Sequence, residues 1–259
     1  MADEAAIAVA REIRGAVQVL GGKFMTSPEL AEVETEVGLS PRTLYLRGRS
    51  AVLGDPPPKV VAELFGIFPP WLFEFALPPA MAALDAASAV RAYSRSSANW
   101  ARVHLSGADD PGRLADLLFR LVDAADASGL PLFAGWQLAG RPEDDVERLA
   151  FALMVFREFR GGIHFAALRA VGLTVPEAVV ADPEGGRGRL LRTAWSEEAA
   201  DALIATAEAK GDLWQRWRRA EQLTDERVAE LLAVTLADDE RDELRRRLGA
   251  LRDASALIS

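Results

Sequence analysis

The 259-residue chain has no cysteine. That excludes disulfides, thiolate metal sites and a cysteine nucleophile, and it fits a reducing compartment, so the chain is read as cytoplasmic. Histidine is nearly absent too. His104 and His164 are the only two, and neither stands in an H-E-x-x-H or E-x-x-H pattern, so no metal site is expected. There is no G-x-S-x-G elbow for a serine nucleophile, and the loop "ADPEGGRGR" (181–189) lacks the Lys-Ser/Thr that a phosphate-cradling loop requires. No cofactor is implied. The apolar runs "LAFALMVF" and "GIFPPWLFEFALPP" fall short of the ~20 residues of a membrane-spanning helix. The acidic start "MADEAAIAVAREIRG" lacks the basic region of a secretory signal, and no membrane partner is expected. Basic residues are in deficit as well: a formal charge of -9 disfavours DNA as a partner, because phosphate neutralisation demands a basic face.

What is present is a core. Half of the residues are hydrophobic and 27% are charged, the balance of a globular protein. Alternating apolar and polar runs are scarce, whereas helical spacing recurs, so the fold class is all-α. In "DDPGRLADLLFRLVDAAD", Asp110 caps, Pro111 takes the first turn, and Leu114, Leu117, Leu118, Leu121 and Val122 form one stripe. Further helices are predicted over about 80–103, 143–160, 163–171, 213–219 and 224–235. The glycine- and proline-rich stretch 127–145 divides the chain into halves, 1–128 and 129–259. The halves echo one another: "REIRGAVQ" (11–18) resembles "REFRGGIH" (157–164). Each half has the makeup of a helix-turn-helix unit, and the two are expected to pack together. The aromatic segment 65–75 is read chiefly as core, with a ligand wall or a homodimer interface as alternatives.

The candidate site is "LAFALMVFREFRGGIHFAAL" (149–168). At 100° per residue from Val146, the apolar Leu149, Ala150 and Leu153 lie within about 60°, and so do Arg157, Arg160 and His164 if the helix continues. An apolar stripe turns cationic. Buried cations need carboxylates, carbonyls or an anionic ligand, so Arg157, Glu158, Arg160 and His164 are the candidate ligand-binding residues, with a small anionic molecule as partner. The alternative is that Gly161-Gly162 ends the helix and the arginines cap its carbonyls. In the echo, Arg11 and Arg14 lie opposite Val9, Ile13 and Val17 and are expected to be solvated. Two further readings compete. Arg42, Arg47 and Arg49 around a short helix suit a DNA-reading element, and His164 with Glu158 suits acid-base chemistry in a biosynthetic enzyme.

The run "LMVFREFRGGIHFAALRAVGL", followed by "AWSEEAADALIA" and taken with "LYLRGRSAVLG" and "VVAELFGIFPPWLFEFALP", resembles the SalE-like helix-turn-helix family of actinobacteria. The resemblance covers most of the chain and implies a helix-turn-helix fold; the function expected is that of a regulatory or small-anion ligand-binding protein, with a sequence-specific DNA-binding transcriptional regulator as the alternative. That family shows an R-E-H-R-G-D-x-H run, which Arg157, Glu158, Arg160, Gly161 and His164 match. Phe159 and Gly162 replace its His and Asp. The chain also passes from "SEEAADALIATAEAKG" straight into "DLWQRWRRAEQL", so wing strands are expected to be absent or very short.

Overall fold

In a computed structural model, residues 3–256 are described. Their order is α1 (Glu4–Leu20), α2 (Pro28–Glu36), α3 (Leu44–Ser50), α4 (Pro58–Phe65), α5 (Pro70–Ala83), α6 (Ala86–His104), α7 (Pro111–Ala124), α8 (Pro131–Gln137), α9 (Asp145–Ala170), α10 (Val175–Ala181), α11 (Gly186–Arg192), α12 (Glu197–Glu208), α13 (Leu213–Thr235) and α14 (Asp238–Ala256). Among the described residues there is no β-strand and hence no wing. No single helix among them is long and apolar enough to cross a membrane.

Start signals are local. Asp110 accepts from the Arg113 backbone N–H ahead of Pro111, and Thr174 with Glu177 closes a capping box on α10. Asp144 accepts from Val146 and Glu147 at the head of α9. That helix is the centre of the molecule. From Leu149 to Phe156 every residue is buried, so this stretch is enclosed on all sides instead of carrying one apolar stripe. α1, α6, α7, α8 and α13 pack around it, and the largest buried cluster runs from Ala6 to Leu251.

Three expectations need correction. Gly161-Gly162 does not end a helix: α9 runs through both as one 26-residue element. α13 is likewise continuous over 23 residues where two helices were expected. The stretch 127–145 contains α8, whose Phe133 and Trp136 are buried. Trp136 donates its indole N–H to the Arg49 carbonyl at 3.1 Å, which ties this segment to the first half of the chain.

The aromatic segment forms a smaller cluster of its own on Leu46, Val61, Phe65, Phe73 and Leu77. Phe65 and Phe73 meet edge-on at 5.2 Å. Trp71 and Phe75 depart from the expected core, at 54% and 77% exposed.

Candidate functional site

From Arg157 onward α9 lines a cleft of about 1140 Å³. Arg157, Glu158, Arg160 and His164 all line it. The sequence cluster is therefore brought together, and its members have different partners.

Glu158 is a structural carboxylate. Arg49, reaching over from α3, donates Nε to Oε1 and Nη2 to Oε2, both at 2.8 Å. Burial alone would raise the Glu158 carboxyl, but the Arg49 guanidinium overrides it and holds the group below its ordinary value. With both oxygens engaged in a two-point pair, Glu158 is not placed to act as acid or base with His164, as the enzyme reading required. Arg49 spends its third donor on the Tyr45 hydroxyl at 3.1 Å and stacks over Phe65 at 4.4 Å.

Arg160 turns to α13. It donates to Glu221 Oε2 at 2.9 Å and lies 3.6 Å from Asp225 Oδ1. Arg14, from α1, reaches the same Glu221 oxygen at 3.0 Å and Asp225 at 3.7 Å. The expectation that Arg11 and Arg14 are merely solvated thus fails for Arg14. Its stem leaves the surface of α1, but α13 lies alongside and supplies carboxylates within reach. Arg11 is more than half exposed and stands 3.9 Å from Asp225.

Burial tends to raise the Glu221 carboxyl, yet Arg160, His164 and Arg14 together hold it below the ordinary value. For Asp225 the balance reverses. Burial outweighs the attraction of Arg160 and Arg14, and its carboxyl is pushed up.

His164 sits 3.0 Å from Thr224 Oγ1 through Nδ1. The Thr224 hydroxyl donates its one proton to the Ala220 carbonyl at 2.8 Å, so toward His164 it can only accept. That places the histidine proton on Nδ1. Nε2, 3.6 Å from Glu221 Oε1, carries the lone pair. Burial lowers the His164 pKa; Glu221 opposes this, and Arg160 and Arg14 add to the lowering.

Arg157 is the cation left over. Its Nε is buried with no hydrogen-bond partner, as is that of Arg160, but Arg160 has Glu221 at 2.9 Å, whereas the ion pair of Arg157 with Glu158 is long, 3.6 Å from Nη1 to Oε1. It packs beside Gly22, where a Cβ would stand 3.1 Å from the Arg157 Nε.

The residues assigned to DNA reading scatter. Arg47 is fully buried and is held by the carbonyls of Leu84 and Gly54 and, at 2.7 Å, by Asp55. Arg49 belongs to the cleft. Both face inward because α3 packs against α6 and α5, so neither can reach a DNA groove. Arg42 alone is exposed, at a left-handed turn position (φ 69°), with its backbone N–H held by Glu34 at 2.8 Å.

His104 ends α6, stacks on Trp100 and lies 3.1 Å from Glu29 Oε1, a packing position. Sequence reasoning missed Glu221, Asp225 and Thr224. Their only signal was an uncommon one, acidic residues at i, i+4 on a helix face that also carries Ala220 and Val228.

Residues 10–257 match the Helix-turn-helix family. No curated protein and no solved structure matches the chain. Since the family match spans nearly all of the sequence, the chain belongs to this helix-turn-helix family.

Proposed function

We propose that this helix-turn-helix protein is a regulatory, ligand-binding member of its family that holds an anionic molecule in the cleft on α9. The observation that carries the reading is Arg157, a guanidinium at the core boundary whose Nε is buried without an acceptor. A buried cation lacking short hydrogen bonds is costly unless an anion completes it. The surroundings agree. Seven arginines and five carboxylates line the cleft, a local positive excess in a chain of net charge -9, and low-dielectric walls concentrate such a field on an entering anion. His164 Nε2 adds a lone pair, or a donor once protonated.

The test is calorimetric titration and thermal shift with a panel of carboxylates and phosphates on the wild type and on Arg157→Gln. Binding is expected in the wild type and a loss of about tenfold or more in the variant. A panel that neither shifts the melting temperature nor releases heat would reject the reading.

DNA as a partner is a second reading and rests on the family match. The face of α12 opposes it. α12 begins with Glu197 and Glu198 and carries Asp201, and its neighbour Arg187 is paired to Asp201 and Glu197. A gel-shift series at low salt is expected to show no retarded complex; a sequence-selective complex would promote this reading over the first.

A further inference from the structure

On α9, Arg157, Gly161 and Phe165 follow one another at four-residue steps, and all three line the cleft. That spacing sets them along one slanting face. At 1.5 Å per residue the row is about 12 Å long.

Gly161 is the anomaly in it. Glycine is among the least favourable residues for a helix interior, so its presence calls for a reason. Its neighbour has one: a Cβ on Gly162 would stand 2.7 Å from Leu130 Cδ2. At Gly161 a Cβ would meet nothing within 4 Å, and the residue has no left-handed φ. Neither packing nor backbone strain explains it. What the glycine does provide is a bare strip of helix backbone, open to the cleft, between a cation and an aromatic ring.

The lining of the same cleft also includes Tyr45, Phe65, Phe68, Leu130 and Phe133. Tyr45 accepts from Arg49 and so keeps its own O–H proton to donate. The inner end carries an excess of positive charge. Arg11, Arg14, Arg49, Arg157 and Arg160 stand against Glu158, Glu221 and Asp225, so cations outnumber carboxylates even when His164 is neutral. An anionic group offsets that excess.

We propose that the cleft binds a flat aromatic anion, its charged head on Arg157 and its ring system laid on the bare backbone at Gly161 beside Phe165. This rests on the anion-binding reading and adds what the rest of the ligand is. A flat body fits because a ring can approach a glycine-bared helix more closely than one carrying a Cβ, and it stacks on the flanking aromatic side chains.

The test uses naphthoate, with octanoate, naphthalenemethanol and inorganic phosphate as comparators, titrated into the wild type, Gly161→Ala and Gly161→Leu. Naphthoate is expected to bind at least about tenfold more tightly than each comparator. Gly161→Ala should melt at a higher temperature than the wild type and yet bind naphthoate about tenfold more weakly, while Gly161→Leu should abolish binding. If phosphate binds and naphthoate binds no better, the anion reading stands and the flat-body proposal is overturned. If no probe binds, both fall. Octanoate equal to naphthoate overturns the ring, and a lower melting temperature for Gly161→Ala would show that the glycine serves packing. The alanine variant keeps the test decisive even where leucine prevents folding.

Discussion

Arg14 and Arg160 share one oxygen of Glu221, at 3.0 and 2.9 Å. They occupy equivalent places in the two echoing stretches, the second arginine of "REIRGAVQ" and of "REFRGGIH". Gly15 and Gln18 of the first stretch line the same cleft as Gly161 and His164 of the second. Glu221 therefore joins two similar segments, 146 residues apart in their arginines (160 minus 14), to a third element that resembles neither. The cleft forms where they meet.

Glu221→Gln should act in opposite directions on stability and on binding. Removing the carboxylate leaves Arg160, only 10% exposed, without its short partner, a loss on the order of 3 kcal/mol measured as a shift in the urea midpoint. The same change frees two guanidiniums at the cleft, so anion affinity should rise. Asp225→Asn should destabilise less, because the site already disfavours the charged form of Asp225. An Asp225 variant as damaged as the Glu221 variant would contradict this ranking.

The Arg49–Glu158 pair predicts strong coupling between α3 and α9. Arg49→Met and Glu158→Leu should each destabilise by roughly 3 kcal/mol or more, since each leaves the other buried charge unpaired. The double variant should fall well short of the sum, with an interaction energy above about 1 kcal/mol in a double-mutant cycle. Additive losses would mean that the two side chains do not depend on each other.

These partners mark the limit of what the sequence displays. The Asp110, Asp144 and Thr174 caps and the apolar stripe of α7 are local signals, and the elements they start are legible. The identity of Arg157, Arg160 and His164 as a group was legible from helical phase. Continuity through Gly161-Gly162 was not, because it depends on packing from elsewhere: Leu130 fills the space a Gly162 side chain would take. α8 hid behind glycine and proline for a similar reason, with its Trp136 anchored on the Arg49 carbonyl. Arg47 and Arg49 read as surface charges because a seven-residue helix is too short for phase to reveal an inward face. Glu158 faces Arg49, which is 109 positions away, and no spacing rule connects them.

The titration of the site has a defined sign. His164 has its pKa lowered in the folded state, first by burial, so its neutral form contributes stability that is complete above the ordinary histidine value of about 6.5 and is lost as pH falls below it. Glu221, held below the ordinary carboxylate value, keeps its contribution until pH falls past about 4.5. The urea midpoint should therefore begin to drop below about pH 6.5, by at most about 1.4 kcal/mol per pH unit for one proton. His164→Gln should flatten the upper part of that decline. Protonated Nε2 becomes a donor, so affinity for an anion that stays ionised should increase over the same range, seen as proton uptake on binding in buffers of different ionisation enthalpy.

Gly21 offers a contrast with the open glycine of α9. It ends α1 where that helix meets α9, and a Cβ there would stand 2.6 Å from the Leu153 carbonyl oxygen and 2.8 Å from that of Val17. Both are backbone atoms of packed helices, so neither can rotate aside as a flexible side-chain end would. Gly21→Ala must push α1 away from α9, and overpacking of this kind costs about 1–3 kcal/mol. The displacement would also carry Gly22 off Arg157 and so loosen the guanidinium that anchors the anion, and anion binding should weaken together with the melting temperature. In Gly161→Ala the two should instead move apart, with higher stability and weaker binding. Measuring both variants side by side separates a glycine kept for helix contact from one kept for the cleft, and a Gly21→Ala protein as stable as the wild type would show that the α1–α9 contact is looser than the 2.6 Å approach requires.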